Sequence, residues 1–213
     1  MRRKYRFSLI LFLILFPLFM LFISLFIGRY PVAFRDVIKI ITNPRSSEMD
    51  SMLVTVIWQL RMPRAILGLL VGGSLSICGC VLQGLFRNPL VDTGILGVNA
   101  GAGFGAALAL VIFNNVYVTN AFAFGFAILA VVLSYWCSKI YSESSNIMLV
   151  LGGVVVSSIF VALLSFVKYI ADPFDELPTI IFWLMGSIAR ADYGEIKFAL
   201  VPINIGIIGI LLL

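Results

Sequence analysis

Histidine is absent from the 213 residues. The commonest general base and the commonest metal ligand are therefore missing. A Ser–His dyad is excluded, and so are His-ligated zinc or haem centres. Cysteine is scarce, at Cys78, Cys80 and Cys137. The first two are two residues apart on a predicted helix, so they point to different faces. They read as small apolar packing residues rather than a metal or redox pair. No metal and no cofactor is expected. The dipeptide Gly-Lys occurs nowhere, which excludes a P-loop, so any nucleotide must be bound by another chain. The ten acidic residues all fall in links between apolar runs. A proton- or sodium-coupled carrier places acids or broken helices near mid-membrane instead. That weighs against a secondary carrier. The lack of histidine and of mid-span acids weighs against an intramembrane enzyme.

What is present is apolar. Hydrophobic residues make up 62% and charged residues 12%, against roughly 45–50% apolar in a soluble domain; mean hydropathy is +1.11. The fold class expected is an all-α polytopic membrane bundle. The net charge of +5 fits basic flanks of membrane spans, with the lipid bilayer rather than nucleic acid as partner. A span needs about 20 apolar residues. Six runs qualify, at about 7–27, 63–85, 95–113, 116–138, 147–170 and 196–213, within a single domain over 1–213. Short interfacial helices are expected on both sides of Asn43-Pro44. There Ser47 to Asp50 fits a capping box before the run from Met52. Another interfacial or re-entrant helix is expected over Thr179–Ala189. The sixth run ends at Leu213 with no polar flank, which reads as a fragment or a truncated, inactive gene product.

Four basic residues among the first six place the N-terminus in the cytoplasm. Alternation then puts the 28–62 and 171–195 loops outside. The bias is not clean: six Lys and Arg fall inside and nine of the fifteen outside.

Spans two and three carry small residues at every fourth position: Gly68, Gly72, Ser76, Cys80 and Gly84, then Gly97, Gly101, Gly105 and Ala109. Such ridges let helix backbones approach closely, so both helices are expected to be buried among others. Gln83 and Asn99 read as interhelical hydrogen-bonding residues. At the head of span two stands LRMPRAILG. Pro63 suits a first helical position, where a missing N–H costs nothing. Arg64 would then oppose the helix dipole at about 0.3–1 kcal/mol. Arginine offers a rigid fork for carboxylates; snorkelling to the interface is the alternative.

The stretch LRMPRAILGLLVGGSLSICGCVLQGLFRNPLVDTGILGVNAGAGFG closely resembles the hallmark region of the FecCD-type permeases. The match includes R-x-P-R, the glycine-rich span, Gln83, and the R-N-P-L of Arg87, Asn88 and Pro89. LGGVVVSSIF and LPTIIFWLMGSIA resemble the family's fifth span and the short outer helix after it. These permeases are membrane subunits of ABC importers for iron–siderophores, haem and cobalamin, in a prokaryotic plasma membrane.

The resemblance implies about ten helices per subunit and a second permease subunit. It implies ATPase subunits on the cytoplasmic side and a substrate-binding protein outside. The permease itself is not an enzyme. Arg61 and Arg64 would face carboxylates of the binding protein. Ser144, Ser145 and Asn146 would form the cytoplasmic gate. Gly152, Gly153 and Ser157 would lie on the translocation path, though close packing accounts for them equally well. The cytoplasmic loop that couples to the ATPases would lie beyond Leu213.

Overall fold

The computed structural model describes residues 2–42, 50–139 and 146–212, with side chains from Phe7 onward. Every regular element among these residues is helical. In chain order they are α1 (Arg2–Ser24), α2 (Phe34–Thr42), α3 (Ser51–Thr55), a π-helical segment (Val56–Arg61), α4 (Met62–Phe86), α5 (Val98–Phe113), α6 (Val116–Lys139), α7 (Asn146–Ile170), α8 (Glu176–Met185) and α9 (Tyr193–Leu212). Among the described residues, five helical runs are long and apolar enough to cross a membrane, and they include the 36-residue run Ser51–Phe86. The all-α polytopic architecture expected from the sequence is present. The third predicted span is a shorter helix than expected. It starts at Val98 because Gly97 takes a left-handed conformation, φ 81°, and ends the preceding link.

The chain forms two compact units, residues 1–74 with 187–213 and residues 75–186. In the first, α2 is amphipathic and buries Val37 and Ile40 against Leu25 and Ile57. Phe26 stacks on Phe34, ring centroids 5.1 Å apart. Asp50 caps α3 by accepting from the Met52 N–H at 2.9 Å. The other residues of the expected capping box, 47–49, lie outside the described residues.

One expectation fails in this unit. Pro63 does not start a helix; it lies inside the run Ser51–Phe86. A proline ring collides with the carbonyl four residues back. The π segment relieves this by widening the turn, with Met62 N–H donating to Ile57 O five residues back. Arg64 is therefore not at a helix N-terminus and opposes no helix dipole.

In the second unit α5 packs between α6 and α7. A Cβ on Gly101 would lie 2.5 Å from the Phe126 carbonyl oxygen, and one on Gly105 would lie 2.5 Å from that of Phe122. Both are backbone, so only glycine fits, and the expected ridge on α5 is buried. The link to α6 is two asparagines. Asn114 ends α5 in the left-handed region, φ 44°. Asn115 caps α6, its Oδ1 accepting from Tyr117 N at 2.9 Å and Val118 N at 3.3 Å. Phe104 meets Phe126 edge-on at 5.1 Å and Phe160 at 5.7 Å. α8 returns Ile180 to Ala107, Val167 and Ala171.

The ridge on α4 behaves differently. A Cβ on Gly68, Gly72 or Gly84 would meet nothing within 4 Å among the described residues. The close approach expected on α4's ridge is thus not seen at these three positions among the described residues.

Candidate functional site

The two arginines of LRMPR do not act as a pair. Arg61 is buried, 9% exposed. Its Nη1 donates to the Leu25 carbonyl at 2.6 Å and its Nη2 to the Tyr30 carbonyl. The guanidinium thus ties together the turn after α1, whose carbonyls no helix satisfies. Gly28 lies beneath the fork: a Cβ there would sit 2.7 Å from Nη2 and 2.9 Å from Cζ. Arg64, one turn on, is exposed. It lines an open pocket of 390 Å³ together with Arg29, Tyr30, Leu60 and Arg61. Of the two arginines in the motif Arg64 is the exposed one, and Arg29 lines the same pocket. The burial of Arg61 was invisible in sequence because its acceptors lie 36 and 31 residues away.

The R-N-P-L motif is a helix stop. Arg87 takes a left-handed conformation, φ 49°. Its N–H donates to Gly84 O at 3.3 Å, and Asn88 N–H to Gln83 O at 3.2 Å. This is the paired bonding of a Schellman motif. Asn88 Oδ1 then accepts from Leu90 N at 3.0 Å, closing a turn over Pro89. Gln83 contributes its backbone carbonyl to the stop, and its side chain is exposed.

Of the predicted gate, Ser144 and Ser145 lie outside the described residues. Asn146 begins α7, and its Nδ2 donates to Leu85 O at 3.2 Å, one of the last carbonyls of α4. The three residues assigned to a translocation path sit in packed surroundings. A Cβ on Gly152 would be 2.7 Å from Ser134 O, and one on Gly153 only 2.1 Å from Ile95 O. Ser157 Oγ lies 3.1 Å from where a Gly97 Cβ would be. This face of α7 is filled by the link before α5. Ser134, which sequence reasoning passed over, locks that link: it is buried and donates toward Leu96 O at 3.0 Å and Ala130 O at 2.8 Å. No group of three or more Cys, Asp or Glu able to hold a metal occurs among the described residues.

Apolar helices long enough to cross a membrane and a tightly packed α5–α6–α7 trio describe a polytopic membrane protein. The chain belongs to the FecCD transport family, whose model matches residues 13–213. Among its relatives is the molybdate import system permease protein MolB of Haemophilus influenzae, 40% identical over 183 residues, covering 84% of this chain and 54% of the relative. The ferric enterobactin transport system permease protein FepD of Escherichia coli is 31% identical over 78% of this chain and 50% of the relative. The vitamin B12 import system permease protein BtuC of Citrobacter koseri is 33% identical over 71% of this chain and 46% of the relative. A solved metal-chelate type ABC transporter in an inward-facing conformation matches with a TM-score of 0.78 and 35% identity, over 93% of this chain and 59% of that one. The chain spans about half the length of the curated relatives it matches.

Proposed function

We propose that residues 1–213 are part of a transmembrane permease domain in a binding-protein-dependent ABC importer. The family match over residues 13–213 carries this reading. The partners are ATPase subunits on the cytoplasmic side, a substrate-binding protein outside and a second permease subunit. The N-terminus is cytoplasmic, so the Arg64 mouth faces outward. The relatives' names give molybdate, ferric enterobactin and vitamin B12 as cargo, and a metal-containing compound is common to them. An iron–siderophore is one member of that class. The chain makes no covalent bond with its cargo; it provides a path that opens alternately to each side as the ATPases close. Ser144, Ser145 and Asn146 form its cytoplasmic gate, of which Asn146 bonds the end of α4 at Leu85 O.

Arg64 and Arg29 meet carboxylates on the binding protein, and Arg61 holds the loop that carries Arg29. Reversing Arg64 to Glu in the assembled transporter is expected to weaken binding-protein docking at least about tenfold, or about 1.4 kcal/mol. Rim charges act largely through the association rate and its salt dependence, so the loss should grow at low salt. Recovery of ATPase subunits with the permease should not change. Docking of the Arg64→Glu variant at wild-type affinity would remove Arg64 from the contact.

A further inference from the structure

A proline inside a helix leaves a carbonyl without its donor, and here the orphan can be named. In the π register Met62 N–H donates to Ile57 O. The next bond of that register would run from residue 63 to Trp58 O, and Pro63 has no N–H. Pro63 is fully buried. A backbone carbonyl that loses its helical donor needs another partner, from water or from a neighbouring group. The Tyr193 hydroxyl, from the first residue of α9, donates to Trp58 O at 2.8 Å. Trp58 is held at its other end as well, its Nε1 donating to Ile40 O at 3.4 Å. Arg61 closes the π segment, and its fork reaches its two carbonyls from that position.

We propose that Tyr193 is a positioning residue for the arginine mouth. Its hydroxyl stands in for the N–H that Pro63 lacks. It thereby holds the wide turn that directs Arg61 inward and leaves Arg64 exposed. Without that bond the orphaned carbonyl seeks another donor. The turn then loosens, and the angle between the two arginines is no longer fixed. An interfacial tyrosine that only packs or meets headgroups would do none of this, and it would be indifferent to what stands at position 63.

That last point supplies the test, and its docking arm rests on the importer reading above. Three forms are compared in the assembled transporter: wild type, Tyr193→Phe, and Tyr193→Phe with Pro63→Ala. Alanine at 63 restores an N–H in place of the lost hydroxyl. Tyr193→Phe is expected to raise the half-saturating binding-protein concentration about fivefold, leaving maximal uptake and assembly yield unchanged. Adding Pro63→Ala is expected to return it to the wild-type value.

Amide hydrogen exchange over residues 56–62 reads the turn with no binding protein present. It should quicken in Tyr193→Phe and slow again in the double variant. Unchanged exchange in Tyr193→Phe overturns the proposal. So does a lower yield or maximal uptake at constant half-saturation, which marks a residue of the fold alone. Failure of Pro63→Ala to restore either readout overturns it too. If the wild type binds no binding protein while exchange responds as described, the importer reading fails and the pairing of Tyr193 with Trp58 stands.

Discussion

Replacing Gly153 by alanine is expected to disrupt the packing of α5, α6 and α7. The added methyl would stand 2.1 Å from Ile95 O and 3.1 Å from both Ile95 C and Leu96 Cα. All three atoms are backbone, so no rotamer change clears them. The link can yield only by giving up the Ser134 bond to Leu96 O and the Gly97 turn into α5. The helix or the link must therefore move by about an ångström, at the upper end of the roughly 1–3 kcal/mol of overpacking or beyond. That is a large share of ordinary stability, roughly 5–15 kcal/mol. Thermal unfolding of the purified protein should show a clear fall in midpoint and yield. Gly68→Ala is the matched control: its methyl meets nothing within 4 Å and alanine favours helix by about 1 kcal/mol. Equal losses in the two variants would contradict the packing described for α7.

The second large effect is expected from Arg61→Ala. It removes both donors from Leu25 O and Tyr30 O and empties the space over Gly28. Hydrogen bonds from a charged donor contribute about 1.5–3 kcal/mol each, so a loss of about 3 kcal/mol in stability is expected. Lysine should not rescue it, since an ammonium lacks the planar fork that spans two carbonyls. A coupling with Gly28 sharpens the test. Gly28→Ala should be harmful beside Arg61, where its Cβ would sit 2.7 Å from Nη2, and far milder in an Arg61→Ala background. The double-mutant cycle should be strongly non-additive, read by unfolding midpoints. Additive effects would show that the fork does not rest on Gly28. Arg64→Glu, acting at an exposed side chain, should leave the midpoint nearly unchanged.

These cases mark what the sequence could carry. Most helix positions were legible, because long apolar runs with Asn114-Asn115 or Arg87 to Pro89 between them have local causes, though five runs rather than six are long enough to cross among the described residues. The α5 ridge was legible too, since its partners come from the next helix in the chain. The role of Arg61 was not: one residue pattern, R-x-P-R, gave two arginines opposite fates, decided by carbonyls more than thirty residues upstream. Pro63 misled for a related reason. Its usual place is a helix start, and no local pattern marks the π turn that carries the helix through it. Gly152 and Gly153 were weighed between path and packing. Gly152 packs on the Ser134 carbonyl of α6, and Gly153 on the irregular Ile95–Leu96 link, whose course no periodicity describes.

The two-asparagine turn also bears on how the protein enters the membrane. α5 has 16 residues, about 24 Å at 1.5 Å per residue, short of the roughly 30 Å of a hydrocarbon core. It is a poor candidate for insertion by itself. α6 follows almost at once, and the Gly101 and Gly105 contacts lie wholly between these two neighbours. The pair can close as a hairpin as soon as both halves have left the ribosome, before α7 has emerged to join them. Biogenesis would then proceed by a helical hairpin here, with the α5–α6 contacts formed inside the pair.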